Sequence, residues 1–241
     1  KPDVAGAIIR RAHEFGMQVT GHVPRAMTLE SMVDSGTDYV AHLPLRGDPS
    51  SETVKAQIGK LASKRVRIDP TVSWNELLGH AAETPLASFQ PGFAEAPWPL
   101  RASYGSVRNN GDSASAGRSL RSSLALIKAM HDAGVPIVAG TDYGLPGFSL
   151  LRELELYVQA GLSPIDAIRA ATAVPAEATN MNAEVGTVET GKRADLLVLD
   201  ADPLADIHNI RTSQWVIADG RMFETRALRA AVGFRSAVTR P

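Results

Sequence analysis

The sequence contains no cysteine, which excludes a disulfide framework and any thiolate metal site. It has no excess of either charge. Lys and Arg number 25, Asp and Glu 26, and the net charge is −1. That balance gives no electrostatic case for nucleic acid or a membrane surface as partner. No apolar run approaches the length of a membrane span. Internal repeats and low-complexity segments are absent, and so is any signal-like segment at Lys1. The first residue is not Met, so the expectation is a processed start or a piece of something longer. The compartment stays open between cytoplasmic, periplasmic and secreted. The chain is 241 residues long, 44% hydrophobic and 21% charged, ordinary for a globular fold.

The stretch 134–144 organises the rest. Val135, Ile137, Val138 and Ala139 form an apolar run between glycines, the pattern of a strand covered on both faces. Asp142 follows where that strand leaves the core. From Ser149 to Ala160, Leu150, Leu151, Leu154, Tyr157 and Val158 repeat at helical spacing. A strand, then a carboxylate at its C-terminal end, then a helix is how an α/β barrel presents catalytic groups. Taken alone, Asp142 would serve as readily to cap a turn.

Elsewhere the chain alternates. Val4, Ile8, Ile9, Ala12 and Phe15 share one helical face, closed by Gly16. A short strand is expected over 17–20, followed by Gly21 and His22. Thr28 caps a second helix, and 38–41 forms a strand followed by His42. A third helix runs from Ser50 or Ser51 to about Lys64. Val66, Ile68, Pro70 and Val72 alternate, which predicts a strand ending near Ser73 and Trp74. This order argues a parallel sheet with crossover helices. The segment 75–117 breaks the period with four prolines and the aromatics Phe89, Phe93, Trp98 and Tyr104. It reads as a lid or substrate loop, or else as a mobile surface insertion. Helix resumes from Arg118 to Ala133. After Gly161, Ser163 and Pro164 start another helix, and Pro175 opens a last short one. Beyond Ala183, glycines punctuate short β runs at 196–199, 215–218 and 221–223, a small antiparallel unit. A short helix and tail follow Thr225.

His22, His42 and Asp142 each directly follow a predicted strand. In a parallel barrel those ends lie on one face, so the three side chains converge. Imidazole and carboxylate suit a divalent metal such as Zn²⁺. His13 and His131 lie in crossover helices, and His80 and His208 have little to support a role. Trp74, Tyr104 and Tyr143 are candidates to line a substrate pocket.

The motifs around 21–23, 41–43 and 140–142 resemble those after strands five, six and eight of the amidohydrolase superfamily. The closest likeness is to its imidazolonepropionase-like and prolidase-like branch. The run Ser149-Leu150-Leu151-Arg152-Glu153-Leu154-Glu155-Leu156 resembles that branch's segment after strand eight, and 186–204 its returning β-sandwich. The resemblance implies the C-terminal part of a metal-dependent (β/α)8 TIM barrel. The expected divisions are a partial barrel over 1–182 with an insertion at about 75–117, a β-sandwich segment over 183–224, and a helix or tail over 225–241. It also implies one or two divalent ions, most simply Zn²⁺, held in part by His22, His42 and Asp142, with Asp142 as proton relay.

The chain has no His-x-His and no lysine at the end of an early strand, both of which the family's two-metal site requires. The expectation is therefore that an N-terminal half or a second chain completes the site, with a homo-oligomer as a further possibility. The activity implied is hydrolysis of a C–N bond in a small molecule, a dipeptide or an N-acyl amino acid. A one-metal deaminase and a non-catalytic fragment are the alternatives.

Overall fold

The computed structural model describes residues 2–107, 112–142 and 144–235. Helices α1 (Pro2–Glu14), α2 (Leu29–Asp34) and α3 (Glu52–Ser63) alternate with strands β1 (Thr20–Gly21), β2 (Tyr39–Ala41) and β3 (Arg67–Asp69). The strands are parallel in the order β1-β2-β3, with Thr20 opposite Tyr39 and Val40 opposite Ile68. The stretch around Ile137 lies beside β3 in the same direction. The Ile68 amide donates to the Pro136 carbonyl at 3.0 Å, and the Val138 amide donates to the Ile68 carbonyl at 2.9 Å. This stretch is a single bridge and not the full strand its composition suggests. Pro136 has no N–H to give to a longer ladder.

Two further expectations are corrected. The third strand stops at Asp69, and Ser73 and Trp74 lie in helix α4 (Val72–Gly79). Pro70 cannot donate to a sheet, and Thr71 takes a left-handed backbone that turns the chain. Among its described residues the 75–117 segment is built largely of helix: the rest of α4, single turns at Leu86–Ser88 and Pro91–Phe93, the helix α5 (Trp98–Gly105) and the start of α6 (Ser113–Asp132). Its apolar residues build their own small core, in which Leu77, Leu86, Ala96 and Tyr104 meet Leu145, Phe148 and Phe234.

Helix α7 (Ser149–Ala160) packs on both α4 and α6. The main core includes Val40, Ile68, Ile127, Leu156 and Tyr157, all fully buried. After α8 (Pro164–Ala170) and α9 (Ala173–Ala178) comes a separate antiparallel sheet of β4 (Leu196–Leu199), β5 (Ser213–Ala218) and β6 (Arg221–Glu224). Asp219 and Gly220 connect β5 to β6, both at positive φ, as a two-residue hairpin requires. Helix α10 (Thr225–Ala231) closes the described chain.

The antiparallel sheet is fastened by charge as well as by apolar contact. Ile207 and Ile210, just before β5, join the main core. Arg211 meets Glu155 on α7, with Nη2 at 3.0 Å from Oε2. Arg152 reaches Glu155 at 3.2 Å and Glu76 on α4 at 2.7 Å. These carboxylates are nearly buried. Burial pushes the Glu155 carboxyl up, but the guanidinium groups of Arg211 and Arg152 outweigh it and leave the carboxyl below the usual range.

The apolar face of α1 is not buried as a whole. Ile9 is enclosed, while Val4, Ile8 and Phe15 are more than half exposed. Among the described residues no helix is long and apolar enough to cross a membrane.

Candidate active site

The C-terminal ends of the parallel strands do gather side chains. The His22 and His42 rings stack with centroids 4.6 Å apart and planes 21° apart. His42 Nε2 lies 3.9 Å from Asp142 Oδ2. The other ring nitrogen, Nδ1, is 2.7 Å from the Thr71 hydroxyl. So three of the residues singled out in the sequence share one corner, and the corner is open: the side chains of His42 and Asp142 are 34% and 44% exposed.

The backbone there is held in sparsely populated conformations. His42, Thr71 and Asp142 have φ of 65°, 45° and 54°. Non-glycine residues cost about 1–3 kcal/mol in such regions. Three of them, each just past the end of an element of one sheet, aim three consecutive strand ends at the same place. For β-branched Thr71 the penalty is heavier than for a residue such as Asp.

A fourth polar group was missed by reading strand three too far. Asp69 ends β3 just as His42 follows β2. Its Oδ1 accepts the Thr71 amide at 3.1 Å, a turn that Asp makes readily. Gly140 leaves the space that Asp69 occupies, since a Cβ there would lie 2.1 Å from Asp69 Oδ2. Burial pushes the Asp69 carboxyl up, the Tyr39 hydroxyl and the Thr71 N–H draw it back, and Asp142 adds a push upward. Burial likewise raises the Tyr39 phenol, with Asp69 adding to the effect. The signal was available: an apolar run, a carboxylate, then a proline that ends the strand.

The loop after Asp142 is braced from behind. Tyr104 is buried and donates its hydroxyl to the Gly144 carbonyl at 2.8 Å. The Leu145 amide donates to the Ser149 hydroxyl at 2.6 Å. Gly144 is required, because a Cβ would fall 2.3 Å from the Ser149 Cβ. Tyr104, expected as a pocket wall, is therefore a support under this loop. Trp74 packs on the small second core, half-buried. Tyr143 lies outside the described residues. His80 is buried, its Nδ1 2.6 Å from the Leu77 carbonyl, and His13 pairs with Asp38 at 2.8 Å. Neither belongs to the corner.

The donor set suits a divalent ion in kind. With Nδ1 engaged by Thr71, Nε2 is the ring nitrogen of His42 left to face a ligand, the usual division of a metal-binding imidazole. It is part of a set. Among the described residues no three His, Asp or Glu side chains lie close enough together to hold an ion.

The chain is similar to known proteins in sequence and in fold. An imidazolonepropionase of Rubrobacter xylanophilus is 38% identical over 79 residues, which cover 31% of this chain and 19% of that protein. A putative prolidase from Bifidobacterium longum superposes with a TM-score of 0.65 at 28% identity, over 92% of this chain and 51% of that one. A Xaa-Pro dipeptidase solved with bound methionine shares the fold at a TM-score of 0.64 and 23% identity, over 93% of this chain and 49% of that one. The chain thus spans about half the length of these solved relatives. The model of the amidohydrolase family matches residues 1–221, and the chain belongs to that family.

Proposed function

We propose that this chain forms the C-terminal part of a metal-dependent hydrolase that cleaves a C–N bond. The observation that supports it most is that His22 and His42, just past β1 and β2, stack with centroids 4.6 Å apart while His42 Nε2 lies 3.9 Å from Asp142 Oδ2, beyond the stretch that flanks β3. On this reading residues 1–182 supply strands five to eight of a (β/α)8 barrel, 183–224 a β-sandwich segment, and 225–241 a terminal helix or tail. The family generally uses divalent metals; such an ion, when bound, makes hydroxide available near neutral pH and polarises the scissile carbonyl.

The chain's own residues divide the remaining work. His22 and His42 are the imidazoles that would hold the ion, Zn²⁺ being the simplest choice, and Thr71 orients the second of them. Asp142 holds and moves a proton at Oδ2, taking it from the attacking water and passing it to the leaving nitrogen. Tyr104, Ser149 and Gly144 fix the loop that carries Asp142. The prolidase among the structural relatives supports a dipeptide as the small-molecule substrate, with an N-acyl amino acid, cleaved at the same kind of C–N bond, as the second choice. The further ligands come from a preceding half or a second chain, since the described residues do not gather three.

Two measurements test this. In the complete protein supplied with excess metal, Asp142→Asn lowers kcat by two or more orders of magnitude, because positioned acid–base catalysis is worth about 10²–10⁴-fold. A metal-replete Asp142→Asn protein with near-wild-type kcat rules out the proton relay. The 241-residue chain alone, given excess Zn²⁺ and a panel of dipeptides and N-acyl amino acids, turns none over efficiently. Turnover above about 1 s⁻¹, the low end for enzymes, shows that no outside ligand is needed.

A further inference from the structure

The motif on α7 contains a glutamate that the proposed chemistry leaves unused. Glu153 is fully buried. Its two oxygens accept the backbone amides of Val72 at 2.9 Å and Ser73 at 2.6 Å. Those are the first two residues of α4, whose amides have no partner within their own helix. A carboxylate at a helix N-terminus is favoured by the helix dipole as well as by the two bonds.

Helices are commonly capped by the residue before them, and Thr is among the residues suited to it. Thr71 occupies that place but makes no side-chain cap. Its left-handed backbone, φ 45° and ψ 42°, is not the extended conformation that capping needs. Its hydroxyl is instead 2.7 Å from His42 Nδ1. The two roles call for different backbone conformations at Thr71, extended for the cap and left-handed for the histidine contact seen here. In this fold Glu153, 80 positions beyond Ser73, takes over the cap.

We propose that Glu153 is a positioning residue for His42: by capping α4 from the neighbouring helix it leaves the Thr71 hydroxyl free to grip Nδ1, so that Nε2 faces Asp142. The connection is short and continuous. Glu153 holds the amides of Val72 and Ser73, these fix the turn at Thr71, and Thr71 fixes the ring. Asp69 secures the same turn from the other side through the Thr71 amide. Without Glu153 the two amides regain a partner most easily if Thr71 moves to an extended backbone and caps α4 itself. That movement also relieves its strain, and it withdraws the hydroxyl from His42.

This inference rests on His42 being a site residue, but its test needs neither metal nor turnover. In the ¹⁵N-labelled 241-residue chain, long-range ¹H–¹⁵N correlation reads the tautomer of each neutral imidazole, with His42→Gln assigning the His42 signals. In the wild type the Nδ1–H tautomer of His42 exceeds the other by roughly tenfold, Nδ1–H donating to the Thr71 hydroxyl and Nε2 left bare, as a metal-binding imidazole needs. Glu153→Gln has the same size but puts an NH₂ against an N–H donor. It brings the two tautomers towards the ratio of a free imidazole, and Thr71→Val does the same with the α4 cap intact. Leu154→Ala, a buried core change on the same helix, leaves the tautomer as it was. If Glu153→Gln does not fold, Glu153→Asp, which withdraws the carboxylate by one methylene, is measured in its place. A mixed tautomer in the wild type overturns the proposal. So does an unchanged ratio in the Glu153 variant while Thr71→Val relaxes it, or an equal change in Leu154→Ala. Failure of the hydrolase reading would appear as absent metal uptake or turnover and leave these spectra untouched.

Discussion

Glu153 also makes the stability of the fold depend on pH in a direction opposite to most carboxylates. Burial raises its pKa from the usual 4.5 to about 7, against the pull of the Ser73 and Val72 amides. Below pH 4.5 the folded and unfolded chains both carry the proton. Between 4.5 and 7 the unfolded chain has released it while the folded chain retains it, so folding becomes less favourable as pH rises. Above 7 the loss is complete. One pH unit of separation is worth about 1.4 kcal/mol, so this group removes about 3 kcal/mol across the window. The paired carboxylate Glu155 is depressed, and its contribution is lost only as pH falls below its unfolded value. Asp69 is raised and acts in the same sense as Glu153. The comparison must therefore be a difference. Urea unfolding of wild type and Glu153→Gln is measured from pH 4.5 to 8, and the two free energies are subtracted at each pH. The background groups cancel, and the wild type loses about 3 kcal/mol relative to the variant between pH 4.5 and 7.5. A difference that stays flat, or that grows in favour of the wild type with pH, refutes the reasoning. Growth would mean that the N-terminus of α4 outweighs burial and the carboxylate is ionised throughout.

The charge cluster should tolerate loss of its centre poorly. Arg152→Ala leaves the nearly buried Glu76 without a counter-ion while Glu155 keeps Arg211; removing one partner of a buried pair costs about 3–5 kcal/mol, read as a fall in urea midpoint, and a change under about 1 kcal/mol would mean the pair behaves as a surface one. The paired imidazoles are checked by elemental analysis of the complete protein. His22→Ala with His42→Ala lowers bound metal per chain, and unchanged stoichiometry in the folded double mutant removes both from the ligand set.

Much of the site could be read from the strand ends, because the grammar is local. Val40-Ala41-His42 and Val138-Ala139-Gly140-Thr141-Asp142 each set an apolar run against a polar residue, and a parallel sheet brings such ends together whatever their spacing in sequence. Helices α3 and α7 were legible for similar reasons, from the Ser51 cap and the Leu150–Val158 repeat. Asp69 was hidden because the alternation of Val66, Ile68, Pro70 and Val72 continues past the true end of β3. Only the proline marked the stop. Glu153 was out of reach for another reason. On a helical wheel it falls beside Leu154 and Leu156, and nothing local says that its partners are amides of a helix 80 residues earlier. Tyr104 looked like a pocket aromatic because its burial depends on a small core that includes Phe148 and Phe234, neither of them near it in sequence. The exposed face of α1 was misjudged by the same logic: periodicity locates an apolar stripe but does not say how much of it finds cover.

The left-handed residues at the three strand ends set a trap for anyone who engineers this protein. Glycine adopts positive φ without a steric cost, so His42→Gly, Thr71→Gly and Asp142→Gly each release part of the roughly 1–3 kcal/mol stored there. A library screened only for thermal tolerance or soluble yield would enrich such changes. On the hydrolase reading, its winners would be sturdier proteins with the proposed ligand, its anchor or the proposed proton relay erased, and the losses would not register until someone assayed chemistry. Stabilising this scaffold safely means holding positions 42, 71 and 142 fixed and seeking gains elsewhere.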